Sequence, residues 1–393
     1  MTDAPAAAPS AERLREVFRV FLRLGLTAFG GPAAHIAAME DEVVRVRGWV
    51  TREEFLDLLS AANVIPGPNS TELAIHLGHQ RAGWRGLLVA GVAFIAPATA
   101  MVWIIAMSYA QYGRRPEVAA LLAGMQPVVL AVVLQAVWRL ARAALRSAMP
   151  IAIAVCSVVA VMAGAHELLV LAGAALAGWL SLGRRDRASA AAMVLGPTGL
   201  VGAAAVSAAP SVSTVFAAFL KIGSVLFGSG YVLLAFLRSE FVERHHWLTE
   251  AQLLDAIAVG QVTPGPVFTS ATFVGYLLAG HGGAAAATAG IFLPAFLFVA
   301  VSGPLVRRIR RSPAASAALD GVNAGSLALM AAVMLVMLRP VATSVTGVGI
   351  FLVASAVLLR TRIGAGWLLL AGAIVGIAQV AVHQAFPALF AGT

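Results

Sequence analysis

Residues 62–79 read ANVIPGPNSTELAIHLGH, and residues 260–276 read GQVTPGPVFTSATFVGY. Each stretch carries a polar amide (Asn63, Gln261), halts at a Pro-Gly-Pro (Pro66-Gly67-Pro68, Pro264-Gly265-Pro266) and resumes in a second apolar run. Each proline removes an amide donor and clashes with the preceding turn, so a helix ends there. Inside an apolar segment the freed backbone groups cannot face lipid. The break must line a polar cavity or pack within protein. The helix that resumes behind it starts with unpaired N–H groups and a positive dipole end, a setting that attracts anions. A plain kink is the competing reading, and duplication of the motif weakens it.

The two breaks belong to an internal repeat. Residues 18–97 align with 216–294 at an offset of 198, slipping to 197 after the Pro-Gly-Pro. Gly25 matches Gly223, Phe29-Gly30 matches Phe227-Gly228, Glu42 matches Glu240, and Asp57 matches Asp255. Thr71 matches Thr269, Pro97 matches Pro294, and Gly124-x-Gln126 matches Gly321-x-Asn323. The expected organisation is an N-terminal tail (1–16), a first transmembrane repeat (17–182), a linker (183–211) and a second repeat (212–393).

Composition fixes the solvent. The 393 residues are 60% hydrophobic and 11% charged, against about 25% charged in soluble chains. The expected fold is all-α and polytopic, with the lipid bilayer as its main partner. The formal charge of +9 comes in short arginine clusters between apolar runs, the pattern of cytoplasmic loops rather than of nucleic-acid binding. A lone cysteine, Cys156, rules out disulfide frameworks and Cys-based metal sites. Met1–Ser10 lacks a basic stretch before an apolar one, so no cleaved signal is expected.

Apolar runs long enough to span a bilayer fall at 87–109, 118–138, 148–165, 167–182, 284–302, 314–338, 341–359 and 365–382, with glycine-interrupted runs at 17–38 and 213–236. Basic residues cluster at Arg81/Arg85, Arg139/Arg142/Arg146, Arg307–Arg311 and Arg360/Arg362, whereas 279–283, the repeat partner of the Arg81 loop, has no Lys or Arg. Inverted halves, each crossing an odd number of times and each with a re-entrant Pro-Gly-Pro hairpin, fit this bias. Parallel halves with six crossings are the alternative. In the inverted arrangement Arg13, Arg15, Arg19 and Arg23 would lie outside unless they form an interfacial helix or the count of segments differs by one.

The candidate substrate site gathers around the breaks. It comprises Asn63, Pro66, Gly67, Pro68, Asn69, Ser70 and Thr71, with Gln261, Pro264, Gly265, Pro266, Thr269 and Ser270 from the second half. Small-residue breaks at Gly30-Gly31 and Gly228-Ser229-Gly230 are candidate second walls. Arg23 and Lys221 share one repeat position; a cation there could neutralise a substrate or snorkel to the interface. Glu72, deep in an apolar run, is the proton-coupling candidate, with a structural salt bridge as its alternative. His35 reads more simply as a packed polar residue. Thr51 with Glu54, and Thr249 with Gln252, read as capping boxes, and Trp49 and Trp247 as interfacial residues. No nucleotide-binding loop, zinc-spaced cluster or nucleophile elbow is present, and only Glu72 with His76 approaches a catalytic pair. No cofactor, metal or enzymatic activity is expected.

Phe29-Gly30-Gly31-Pro32 with His35-Ile36, Pro66 through Thr71, Arg81-Ala82-Gly83, Phe227 through Gly230 and Gln261 through Pro266 resemble the chromate transporter family in its long two-domain form. The resemblance covers both halves. It implies efflux of chromate, a sulfate-like oxyanion, across a bacterial inner membrane, driven by the proton motive force. A passive channel, or a carrier of sulfate or another small anion, is the alternative. A homodimer is one assembly open to such a chain.

Overall fold

The computed structural model describes residues 10–181, 210–227, 230–310, 312–361 and 363–385. Among these residues the chain is helical throughout, with no strand. Among the described residues five helices are long and apolar enough to cross a membrane, and four shorter apolar helices accompany them. The chain is a multi-pass membrane protein of two homologous halves.

The first half opens with α1 (Ser10–Thr27), which ends before Gly30 and Gly31, both at positive φ. The chain turns back through α2 (Gly31–Glu40) and one wider turn to Val46. Its return is pinned by charge. Glu16 at the start of α1 receives Arg47 at 2.9 Å and Arg81 at 2.7 Å. A second hairpin follows at the same end. Thr51 caps α3 (Arg52–Ala62) in a capping box with Glu54, the Pro-Gly-Pro breaks the chain, and α4 (Asn69–Tyr112) leads back to Arg81. At Ala82–Gly83 the helical geometry fails (Gly83 φ 64°, ψ −155°) and α4 folds on itself. The fold-back is tight because Gly78 and Gly86 meet backbone to backbone, where any side chain would collide. The long arm 84–112 then runs to the opposite end. It is followed by α5 (Pro116–Ala144), α6 (Ala148–Met162) and α7 (Glu167–Leu180).

The second half repeats the plan. It consists of α8 (Val212–Val225), α9 (Leu233–Leu237), α10 (Glu250–Val262), α11 (Ser270–Arg310), α12 (Pro313–Ala342), α13 (Val345–Arg360) and α14 (Ala365–Ala385). Thr249 caps α10 with Gln252, and α11 folds back at Ala279–Gly280 with nearly the dihedrals of Ala82–Gly83.

The halves are inverted. Trp103 donates to His281 at 3.1 Å, while a side chain at Gly91 would strike Phe296, so α4 and α11 cross antiparallel. Among the described residues, four helical segments follow the hairpins in each half. The end of α7 lies at the end where the first half starts, since Gly178 packs on Ala317 and Gly321 near the start of α12. α8 starts at the opposite end, where Val212 meets Gly282. Most of the expected linker, residues 183–209, lies outside the described residues.

The hairpins also settle the N-terminal arginines. Because α1 and α2 form a hairpin whose outer ends meet at Glu16 and Arg47, Arg13, Arg15, Arg19 and Arg23 share an end with Arg81, Arg85, Arg139, Arg142 and Arg146. No interfacial helix is needed to reconcile them.

Candidate functional site

The four hairpin turns meet at the middle of the bundle. The Gly67 amide donates to Leu226 O at 2.8 Å, and the Gly265 amide donates to Ala28 O at 3.0 Å. Leu226 and Ala28 are repeat partners, as are the two glycines. Each Pro-Gly-Pro thus closes the end of the first helix of the other half.

A cavity of about 600 Å³ lies against this junction. Gly30 and Phe29 from the first turn, Pro68, Asn69 and Ser70 from the first break, Gly230 and Tyr231, and Pro266, Val267 and Phe268 from the second break all line it. It extends past Gln135 and Arg139 of α5 to the α13–α14 loop at Thr361 and Gly364, and so toward the arginine-rich end. The backbone N–H groups of Asn69, Ser70, Val267 and Phe268 take no acceptor among the described residues. Free amides at a helix start next to a hydroxyl and a guanidinium are the donor set a small oxyanion needs. Arg139, exposed and in no ion pair among the described residues, is the cationic side chain lining this cavity. The sequence groups it with the basic cluster Arg139/Arg142/Arg146; the signal for its role is its i+4 spacing from Gln135 within the apolar stretch that follows Pro127.

The other expected site residues sort into four groups. Gly30, Pro68, Asn69, Ser70, Gly230 and Pro266 line the cavity. Gly31, Asn63, Pro66, Gly67, Thr71, Gln261, Pro264, Gly265, Thr269 and Ser270 are not part of that lining. Asn69 Nδ2 donates to Asn63 Oδ1 at 2.6 Å, and the hydroxyls of Thr269 and Ser270 turn back on Pro266 O and Val267 O. Arg23 and Lys221 do not line the cavity. Arg23 sits 3.6 Å from Glu42, and Lys221 sits 2.7 Å from Glu240. The hairpin returns bring a carboxylate to each of them. Gly228 and Ser229 lie outside the described residues.

Two buried groups stand just behind the lining. His35 Nε2 meets Ala28 O at 3.1 Å, and a carbonyl only accepts, so Nε2 carries the proton there. Its Nδ1 then accepts from Ser70 Oγ at 3.4 Å. His35 therefore ties the first turn to the first break. Glu72 is fully buried, both its oxygens lack a partner among the described residues, and its Oε1 fills the space above Gly67. Asp255, unlike its exposed partner Asp57, is buried and accepts from Tyr109 at 2.9 Å and Gln126 at 3.1 Å, both from the first half.

A family model described as Chromate transporter matches residues 15–179 and again 213–377. The chain is similar to a chromate transport protein of Cupriavidus metallidurans, 30% identical over 93% of this chain and 92% of that one. It is also similar to a chromate transport protein of Pseudomonas aeruginosa, 35% identical over 84% of this chain and 83% of that one. A probable chromate transport protein of Synechococcus elongatus is 28% identical over 83% of this chain and 85% of that one. No solved structure matches.

Proposed function

This chain belongs to the chromate transporter family, and from that premise we propose that it exports chromate from the bacterial cytoplasm as a secondary active carrier in the inner membrane. One observation carries the reading: both Pro-Gly-Pro breaks, from oppositely oriented halves, wall a single cavity that also holds Arg139. The positive-inside rule assigns the arginine-rich end to the cytoplasm, so the cavity faces the compartment from which an exporter loads. Chromate would lie against the amides of Asn69, Ser70, Val267 and Phe268, with Arg139 balancing its charge. Midplane sites built from broken helices of inverted repeats are a recurrent carrier plan.

Glu72 is the candidate for proton coupling. A carboxyl group at such depth without a partner is costly unless it binds and releases a proton as its surroundings change. It touches Gly67, whose amide spans the two halves, so a change there reaches both.

The test is chromate uptake by everted membrane vesicles from cells making the protein. Saturable uptake that collapses with a protonophore supports the carrier. Uptake at the level of empty vesicles would refute it. Uptake that persists without a proton gradient and follows only the chromate gradient would favour a passive channel.

A further inference from the structure

A second cavity, of about 490 Å³, lies at the opposite end, walled by α7, α12 and the α9 hairpin. Its walls are the repeat counterparts of the first cavity's outer walls. Gly164 and Glu167 correspond to Thr361 and Gly364, and Ala332 and Val336 correspond to Gln135 and Arg139. The two cavities thus occupy equivalent places in inverted halves, yet they differ in depth. The first reaches both breaks, whereas the lining of the second includes no residue of either. In the first, Ile36 lines the open space; its counterpart Leu234 is 1% exposed and is not part of the second cavity's lining, being buried beside it next to Ala235.

A polar contact ties the walls of the second cavity together. Ser239 Oγ donates to Glu167 Oε2 at 2.7 Å, joining the start of α7 to the returning arm of the α8–α9 hairpin. Glu167 is itself 6% exposed. At the open end the corresponding positions are Gly364, which has no side chain, and Asp41, which is exposed and pairs with Arg45 at 3.6 Å. The contact therefore exists only where the bundle is closed.

Resting on the carrier reading above, we infer that the second cavity is the outer vestibule of the same oxyanion path and that the Glu167–Ser239 hydrogen bond is the latch that shuts it from the central chamber. Of the cations at its walls, Arg238 is paired with Glu243 and Glu250 and Arg244 with Glu240, while Arg339 is in no ion pair among the described residues and suits an anion leaving through it. Opening requires Glu167 and Ser239 to part and Leu234 to become accessible, as Ile36 is at the other end.

The test uses the full chain with Cys156→Ser, carrying a single new cysteine, and a membrane-impermeant maleimide added to intact cells. Val336→Cys, in the vestibule, should label from outside whatever the latch does. Leu234→Cys should label slowly, and several-fold faster when Ser239→Ala is added. Ser239→Thr, which keeps the hydroxyl, should restore slow labelling. Val336→Cys reached only from the cytoplasmic side would overturn the vestibule. Equal labelling of Leu234→Cys with Ser239 and Ser239→Ala, while Val336→Cys still labels in the Ser239→Ala background, would overturn the latch. Labelling needs no chromate, so these outcomes are independent of whether vesicles transport it.

Discussion

The amide of Gly67 and the carbonyl of Leu226 lie 2.8 Å apart and join the two halves of the chain. The mirror contact, Gly265 to Ala28, is 3.0 Å. The two breaks are therefore structural parts of one junction, and their glycines are constrained in two ways. Gly67 has φ 135° and Gly265 has φ 91°, and a methyl on either would press on Glu72 or on Ala98. Gly67→Ala and Gly265→Ala should each cost at least about 1–3 kcal/mol from backbone strain alone. Gly48 also has a positive φ, 60°, but open space around it, so Gly48→Ala should cost only about 1–2 kcal/mol. Thermal unfolding in detergent ranks the three; equal midpoints would contradict the crowding.

Asp255 predicts a difference between repeat partners. Asp255→Ala removes the acceptor of Tyr109 and Gln126, and a buried donor left without a partner costs about 1–3 kcal/mol. Asp57→Ala, at an exposed position, should shift the unfolding midpoint much less. Equal shifts would mean that Asp255 does not bind the halves together.

The charge cluster at the arginine-rich end sets an acid limit. Burial pushes the Glu16 carboxyl up, but hydrogen bonds from Arg81, Trp49 and Arg47 outweigh this and hold it below its ordinary value. A group depressed in the folded state contributes stability above its unfolded value and loses it as pH falls through the folded one. The unfolding midpoint should therefore drop with acidification below about pH 5, and Glu16→Gln should flatten that drop while lowering the midpoint at neutral pH. An unchanged acid limb would show that the cluster does not govern it.

Glu72 separates coupling from binding. Glu72→Gln should keep chromate binding within about twofold of wild type, a free-energy change under ~0.5 kcal/mol, because the carboxyl stands behind the cavity lining. It should abolish the response of vesicle uptake to an imposed pH gradient. Retained pH-driven uptake would exclude Glu72 as the proton carrier.

The breaks and the repeat were legible in the sequence because proline and glycine punctuate an apolar chain with little ambiguity. The helices at 118–138, 167–182, 314–338 and 365–382 were legible for the same reason of hydropathy, and they overlie α5, α7, α12 and α14. The α1–α2 hairpin was not legible. Residues 17–38 are mostly apolar, and the positive φ of Gly30 and Gly31 turns them back, a conformation that glycine permits but does not announce. The pairing of Arg23 and Lys221 does carry a signal in the sequence: Glu42 and Glu240 sit at matched repeat positions, nineteen residues after each cation. Arg139 was hidden by its loop-like neighbours Arg142 and Arg146.

The central claim is that an oxyanion binds between the two breaks and beside Arg139. Equilibrium binding of radiolabelled chromate to the purified protein tests it most directly, with wild type compared against Arg139→Gln, Arg23→Ala and Lys221→Ala. Loss of one hydrogen bond to a charged group is worth about 1.5–3 kcal/mol, so Arg139→Gln should weaken binding roughly 10- to 100-fold, while the two ion-paired cations should change it little. Undiminished binding in Arg139→Gln, or loss confined to Arg23→Ala and Lys221→Ala, would contradict the account.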